Sequence, residues 1–153
     1  MVQVGLQDVA FGASCETSVR RFIDNSEEIA GCVAWLTNPD IINALQRIRQ
    51  CRVVVTADGV HNRAALGLHR FARQVGRARG RYRALMHHKF LVRYTNGEPT
   101  DVLLGSYNFT RHSNNNIGES IVVLHGASIA RQFADEAIRA WSGSRAIRAN
   151  HAR

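Results

Sequence analysis

Lysine is nearly absent from this chain, since Lys89 is the only lysine among 20 basic residues and all the others are arginines. Acidic residues are missing from one long stretch, between Asp58 and Glu98. The longest apolar run covers residues 29–36, whereas a membrane-spanning helix needs about 20 apolar residues. The first residues lack a charged segment followed by an apolar run, so no secretory signal is expected. We therefore expect a soluble protein without a membrane span.

Cysteine is also scarce. The three cysteines, Cys15, Cys32 and Cys51, are odd in number and lack the CxxC spacing. This pattern favours free thiols in a reducing cytoplasm over a disulfide framework. No pair of His and Cys residues has the spacing of metal ligands, so neither a metal nor another cofactor is expected.

Positive charge, in contrast, is in excess. The 20 Lys and Arg residues against 12 Asp and Glu residues give a formal net charge of +8, which attracts nucleic acid or an anionic membrane surface. The stretch without acidic residues is the most basic part of the chain. It is either a solvated helix face and loop or a surface that follows a phosphate backbone. The arginines predicted to bind nucleic acid are Arg77, Arg79, Arg81, Arg83 and Arg93.

Helical and strand patterns alternate in the first half of the chain. They predict helix, strand, helix, strand and helix at residues 15–29, 30–36, 37–50, 51–57 and 59–75. Asn38 is predicted to cap the second helix, with Pro39 at its first position. This alternation is typical of βαβ units. The length of 153 residues predicts one domain over 1–153, with its core at about 16–142 and a flexible basic tail at 143–153.

The second half predicts antiparallel strands. Segments 81–95 and 99–107 flank Asn96-Gly97, a strong signal for a two-residue hairpin turn. Another strand is predicted at 118–125 and a closing amphipathic helix at 128–143. The fold class expected from both halves is α/β, with a mixed β-sheet flanked by helices on both faces.

A two-residue turn in this hairpin sets the pairing of its strands. It places His87 opposite Ser106 and Lys89 opposite Leu104. Since side chains alternate along a strand, His87, Lys89 and Ser106 are predicted to share one face. An imidazole, an ammonium group and a hydroxyl group on one face are typical of an anion site, although a single His or Lys on a strand is usually solvated surface.

The residues around this hairpin resemble a known signature. His87-x-Lys89, then Gly105-Ser106-x-Asn108, then Glu119 resemble the phospholipase D superfamily, over about residues 20–142. The single-motif bacterial endonucleases and the Zucchini-type nucleases are the most similar members. The resemblance implies a phospholipase D-like fold with one motif per chain and a metal-independent phosphodiesterase activity.

The resemblance also implies a role for each residue of the motif. His87 would attack the phosphorus atom and form a covalent phosphohistidine. Lys89 and Asn108 would hold the non-bridging oxygens, and Ser106 would support the phosphate pocket. Glu119 would accept a hydrogen bond from the other ring nitrogen of His87. His88 and His112, outside the motif, are expected to be structural or surface residues.

One position departs from the family pattern. The family has an Asp five residues after the lysine, where this chain has Tyr94. In the predicted hairpin register Asp101 shares a face with Tyr94 and is a candidate structural carboxylate in its place. Without such a substitute the site would be weakened or inactive.

A single motif also has a consequence for assembly. A second group is needed to protonate the leaving oxygen, and in the family this group is the histidine of a second His-x-Lys. One lysine allows only one such motif here, so the resemblance implies a homodimer with its active site at the two-fold interface. The first hypothesis is therefore a nuclease that cleaves DNA or RNA. The alternatives are a nucleic-acid-binding protein with a degenerate site, which Tyr94 suggests, and a lipid phosphodiesterase.

Overall fold

A mixed β-sheet of eight strands runs through the structure, a computed structural model that describes residues 7–76 and 84–150. The strands are β1 (Gln7–Phe11), β2 (Glu28–Val33), β3 (Gln50–Thr56), β4 (Ala72–Val75), β5 (Lys89–Thr95), β6 (Glu98–Gly105), β7 (Ser120–His125) and β8 (Arg145–Ala146). Their order is β1-β7-β6-β5-β2-β3-β4-β8. β2, β3 and β4 run parallel, and the other neighbouring pairs are antiparallel.

Helices cover both faces of this sheet. They are α1 (Ser14–Asp24), α2 (Pro39–Gln46) and α3 (Ala127–Ser142). Alternate side chains of β5 separate the two layers, since Leu91 packs with residues of α1 and α2, whereas Phe90 and Val92 pack with residues of α3. The predicted α/β fold, with a mixed sheet flanked by helices on both faces, is confirmed.

The start of α2 follows the prediction. Asn38 Oδ1 accepts a hydrogen bond from the backbone N–H of Asp40 at 2.9 Å, and Pro39 occupies the first turn. The helix ends at Gln46 rather than at residue 50, because β3 already begins at Gln50. Leu45 of this helix is fully buried, and burial of such a side chain stabilises the fold by about 1.5–3 kcal/mol.

The helix predicted at residues 59–75 does not form. Three short 3-10 turns occupy Gly59–Asn62, Ala64–Leu66 and Leu68–Arg70, and β4 follows them. Gly67 adopts the left-handed conformation with φ +69°, which interrupts a right-handed helix. The periodicity of apolar residues alone therefore did not distinguish consecutive 3-10 turns from an α-helix in this segment.

The chain end also differs from the prediction. In residues 145–150, expected to belong to a flexible tail, Arg145 and Ala146 form β8, which pairs with β4, and Ile147 is buried. Asn150 is held outside the sheet, because its backbone N–H donates to the carbonyl of Asn62 at 2.6 Å. Backbone pairing and one apolar side chain therefore fix a segment whose composition suggested a mobile arm.

The register of the β5–β6 hairpin is shifted by one residue from the prediction. Asn96 and Gly97 form the expected turn, with φ +53° and +79°. A bulge between Arg93 and Tyr94 then changes the pairing, so that Phe90 faces Leu104 and Arg93 faces Asp101. Because side chains alternate, this shift moves Asp101 to the face opposite the predicted one.

A buried histidine ties the ends of β2 and β3 together. His61 is 1% exposed, and its Nδ1 lies 2.8 Å from the carbonyl oxygen of Thr56. Its Nε2 accepts a hydrogen bond from the backbone N–H of Leu36 at 3.2 Å. These two partners require a neutral ring with its proton on Nδ1. Burial lowers the pKa of His61, against smaller opposing effects of Thr56 and Asp58.

We predict that His61 makes folding sensitive to acid. Its pKa in the folded protein lies below the ordinary value of 6.5, so the unfolded chain binds the proton first. The stabilisation from His61 is therefore present above about pH 6.5 and lost as the pH falls. Urea unfolding at pH 8 should show that His61→Gln is less stable than wild type by about 1–3 kcal/mol.

The same measurement at pH 5 should show a smaller difference between the two proteins. His69→Gln is the matched control, because His69 is exposed, and it should match wild type at both pH values. A His61→Gln deficit that stays constant with pH would contradict the prediction.

Candidate active site

The candidate site lies where β5 begins and β6 ends. Backbone hydrogen bonds hold three segments together there: Phe109 N–H donates to Trp35 O at 3.0 Å, and Ala34 N–H donates to His88 O at 2.8 Å. Gly105 allows β7 to approach closely, because a Cβ at this position would clash with the carbonyl oxygen of Ser120. The strand ends that carry the signature residues are thus fixed by backbone contacts.

His87 and Lys89 are in direct contact. Lys89 Nζ lies 3.2 Å from Nδ1 and 3.3 Å from Nε2 of the His87 ring, and it donates to the His87 carbonyl oxygen at 2.9 Å. Trp35 packs edge-on against the imidazole, with ring centroids 5.7 Å apart. His87 was predicted to pair with Ser106 in the sheet. This pairing is not formed, because His87 precedes the first residue of β5.

This environment favours the neutral form of His87. Partial burial and, to a smaller extent, the charge of Lys89 lower the pKa of its imidazole. Partial burial also lowers the pKa of Lys89, whereas the carboxylate of Glu119 opposes that effect. An exposed imidazole that is unprotonated at neutral pH has a free electron pair and is a competent nucleophile.

Glu119 is held by two hydrogen bonds. Ser106 Oγ donates to one carboxylate oxygen at 2.7 Å, and Asn116 Nδ2 donates to the other at 3.0 Å. Ser106 Oγ also accepts from the backbone N–H of Ser120 at 3.0 Å. Ser106 is thus bonded to Glu119, and the Glu119 carboxylate favours the charged form of Lys89. The expected hydrogen bond between Glu119 and His87 is not formed.

Asn108 contributes an unsatisfied polar atom. Its Oδ1 is buried and has no hydrogen-bond partner, which costs about 1–3 kcal/mol when nothing compensates for it. The NH2 group of the same amide is neither buried nor hydrogen-bonded within the chain. It is therefore the part of Asn108 that can donate to an anion.

The neighbours of Asn108 are anchored. Tyr107 is fully buried and donates a hydrogen bond to Asn114 Oδ1 at 2.6 Å. Asn114 in turn donates to Glu16 of α1. The loop that carries Asn108 is thus held against the core.

Asp101 does not replace the family carboxylate at the site. It accepts a hydrogen bond from Thr100 at 2.7 Å, and its carboxylate lies 2.5 Å from His125 Nδ1. Tyr94 lies on the opposite face, against residues of α3. The prediction that Asp101 shares a face with Tyr94 is wrong, because the bulge shifts the register.

Arg93 was predicted to bind nucleic acid, but contacts within the chain occupy its guanidinium group. Its guanidinium donates to Ser26 Oγ at 3.0 Å and to Phe22 O at 3.2 Å, and it lies over the Phe22 ring at 4.3 Å. It also pairs with Asp101 at 3.5 Å. Through these contacts Arg93 stabilises the fold. The other arginines predicted to bind nucleic acid lie outside the described residues: Arg77, Arg79, Arg81 and Arg83.

Three residues of the site were not predicted from the sequence. Trp35 was predicted only as part of a strand and Glu136 of α3 only as part of a helix, and Asn116 was given no role. The spacing of Asn116 three residues before Glu119 was the one local signal. His88 bonds Glu136 at 3.1 Å, and His112 is exposed, as expected for residues outside the motif.

A family model described as "Cardiolipin synthase, PLD-like domain" matches residues 19–141. The chain belongs to the phospholipase D superfamily. All the signature residues, from His87 to Glu119, lie inside the matched segment. No curated protein sequence matches the chain significantly.

Solved structures with the same fold include Nuc, a phospholipase D family member from Salmonella typhimurium. Nuc has a TM-score of 0.71 and 21% sequence identity, over 94% of this chain and 100% of Nuc. NucT from Helicobacter pylori has a TM-score of 0.77 and 12% identity, over 92% of this chain and 98% of NucT. The archaeal chromatin protein TrmBL2 has a TM-score of 0.61 and 13% identity, over 94% of this chain and 55% of TrmBL2.

Two other kinds of feature are absent from the described residues. No helix in this part of the chain is both long and apolar enough to cross a membrane. Among the same residues, no three His, Cys, Asp or Glu side chains are placed to hold a metal ion together.

We predict that Lys89 holds down the pKa of His87. An NMR titration of the imidazole should give a pKa below 6.5 in the wild-type protein. In Lys89→Met the pKa should rise towards 6.5 but stay below it, because burial, the larger cause, remains. Arg111→Met removes an exposed charge and is the matched control. An unchanged pKa in Lys89→Met would show that the two groups are not coupled.

Proposed function

We propose that this protein is a metal-independent phosphodiesterase that cleaves nucleic acid through a covalent phosphohistidine on His87. The observation that supports this most strongly is the contact between the exposed His87 and Lys89, with 3.2 Å between Nδ1 and Nζ. A neutral imidazole can attack phosphorus, and the ammonium group beside it can offset the negative charge of the phosphate.

The proposed reaction has two steps. A ring nitrogen of His87 donates its electron pair to phosphorus, and the bond from phosphorus to the leaving oxygen breaks, so that this oxygen takes up the bonding pair and a proton from an acid. Water then attacks the phosphohistidine and gives a proton to the group that acted as the acid in the first step, the P–N bond breaks, and the electron pair returns to His87. Lys89 and Asn108 bind the non-bridging oxygens in both steps.

The choice of lysine at position 89 fits this reaction. Its ammonium group is compact and binds one oxygen as a point charge, whereas the wide guanidinium of arginine would crowd the attacking ring. This explains why a chain with otherwise only arginine carries one lysine here.

Nucleic acid is the substrate class that the charge supports. The formal net charge is +8, and phosphate contacts supply most of the affinity in such complexes. TrmBL2, the chromatin protein that has the same fold, shows a novel mode of DNA binding. The proposed location is the cytoplasm, since the three cysteines are free thiols.

The acid that protonates the leaving oxygen is proposed to be His87 of a second copy. These 153 residues contain one lysine and so one His-x-Lys, and a second copy would supply a second motif. His87 is exposed, which leaves it accessible to a two-fold partner.

We predict cleavage of DNA or RNA in EDTA, measured on labelled substrates by gel electrophoresis. His87→Ala should reduce the rate by at least about a thousandfold, because removal of a catalytic nucleophile has effects of this size. Lys89→Arg should also lose most activity with an unchanged melting temperature. His112→Ala, at an exposed position outside the motif, is the control and should match wild type. Activity that EDTA abolishes and magnesium restores would contradict the proposal.

We also predict that activity depends on pairs of chains. When His87→Ala is mixed with wild type and the subunits exchange, heterodimers keep one nucleophile but lack the facing acid. Activity should then fall towards the square of the wild-type fraction. A linear decrease, or a monomer by light scattering at the assay concentration, would refute the shared site.

A lipid phosphodiesterase is the second candidate, and one observation favours it. Ile117 is fully exposed, two residues before Glu119, and an exposed apolar side chain beside a phosphate site can enter a lipid surface. Hydrolysis of phosphatidylcholine or cardiolipin vesicles in EDTA, without cleavage of nucleic acid, would favour this activity. A protein that binds nucleic acid but cleaves neither substrate would fit the degenerate-site alternative.

A further inference from the structure

A groove lies directly beside His87, between α3 and the segment that precedes β5. Its volume is about 660 Å³, and His87 itself forms part of its wall. Binding sites for small molecules usually have about 300–1,000 Å³. We call it the α3 groove. A group bound in it would lie next to the phosphate that His87 attacks.

The α3 groove has an apolar part. Leu85, Met86 and Ala140 line it together with Val75 at the end of β4. Leu85 and Met86 are half-buried. The thioether of methionine is polarisable and adapts to the face of a flat ring.

The groove also has a fixed polar wall. His88 Nε2 lies 3.1 Å from one carboxylate oxygen of Glu136, and Arg139 donates to the other. The His88 ring packs edge-on against Phe90, with centroids 5.4 Å apart. Arg139 remains highly exposed, at 79% of its side chain, so most of its five N–H donors stay available.

These walls distinguish between ligand classes. Glu136 offsets the charge of Arg139, which disfavours a second phosphate group. Three ionisable side chains on the wall disfavour an acyl chain. A planar ring with apolar faces and a hydrogen-bonding edge fits both parts, and nucleobases have this chemistry.

We propose that the α3 groove binds the nucleobase of a nucleotide joined to the scissile phosphate and so sets base preference beside the cleaved bond. This rests on the proposed nuclease function. Met86 contacts the face of the base, and Arg139 donates to its edge. The substrate is therefore held on both sides of His87, by Lys89 at the phosphate and by the α3 groove at the base.

The kinetic test compares two matched oligonucleotides, one intact and one with an abasic site beside the scissile phosphate. Met86→Ala and Arg139→Ala should each lower kcat/KM on the intact substrate about tenfold, which corresponds to about 1.4 kcal/mol, and should flatten the preference among bases. Neither should change cleavage of the abasic substrate. Arg131→Ala is the control, because Arg131 lies on the same helix but pairs with Glu98. Equal losses on both substrates would overturn the proposal.

A binding test separates this proposal from the nuclease function. The chain has 2 methionines, so the methyl signal of Met86 is readily assigned by NMR. AMP, GMP, CMP and UMP should shift it through their ring currents, whereas ribose 5-phosphate should not. A protein that cleaves no nucleic acid but shows these shifts would refute the nuclease and retain the groove. No shift with any nucleotide, or an equal shift with ribose 5-phosphate, would refute the groove.

Discussion

The site depends on a short backbone ladder between two loops. Phe109 donates to Trp35 O and accepts from Thr37 and Asn38, at distances between 2.9 and 3.0 Å. These bonds hold the segment after β6 against the segment after β2. Since β2 also pairs with β5, the ladder fixes the end of β6 relative to His87 and Lys89. Backbone groups thus set the geometry on which the side-chain chemistry relies.

Lys89 must serve two groups with opposite requirements. Its charge helps to keep the imidazole of His87 neutral, as a nucleophile requires, while its own charged form gains from Glu119. Ser106 and Asn116 occupy both oxygens of that carboxylate. The carboxylate therefore acts on Lys89 through space, and the hydrogen bond of the ammonium group goes to the His87 carbonyl oxygen instead. A direct salt bridge to Glu119 would stabilise the charged lysine more but would occupy the group that is proposed to bind phosphate.

The sequence predicted the strands and the signature better than the details between them. Strands β2, β3 and β5 were predictable because buried apolar runs have few alternatives. The helix at 59–75 was wrong because Gly67 introduces a turn within a helical pattern. The register was wrong by one residue because a bulge leaves no mark in hydrophobic alternation. Trp35 could not be predicted, since only tertiary pairing brings it to the site. Asn116, in contrast, lies three residues before Glu119, and its spacing was a local signal that was missed.

The one-residue bulge decides how the arginines near the site are used. It places Arg93 opposite Asp101, where the guanidinium also stacks on Phe22 and joins β5 to α1. With Arg93 thus assigned to the fold, Arg139 is the arginine of the described residues that lines the groove at His87. Glu136 restrains that arginine without burying it. The bulge thus commits Arg93 to the α1 side of the sheet, whereas Arg139 stays exposed on the α3 side.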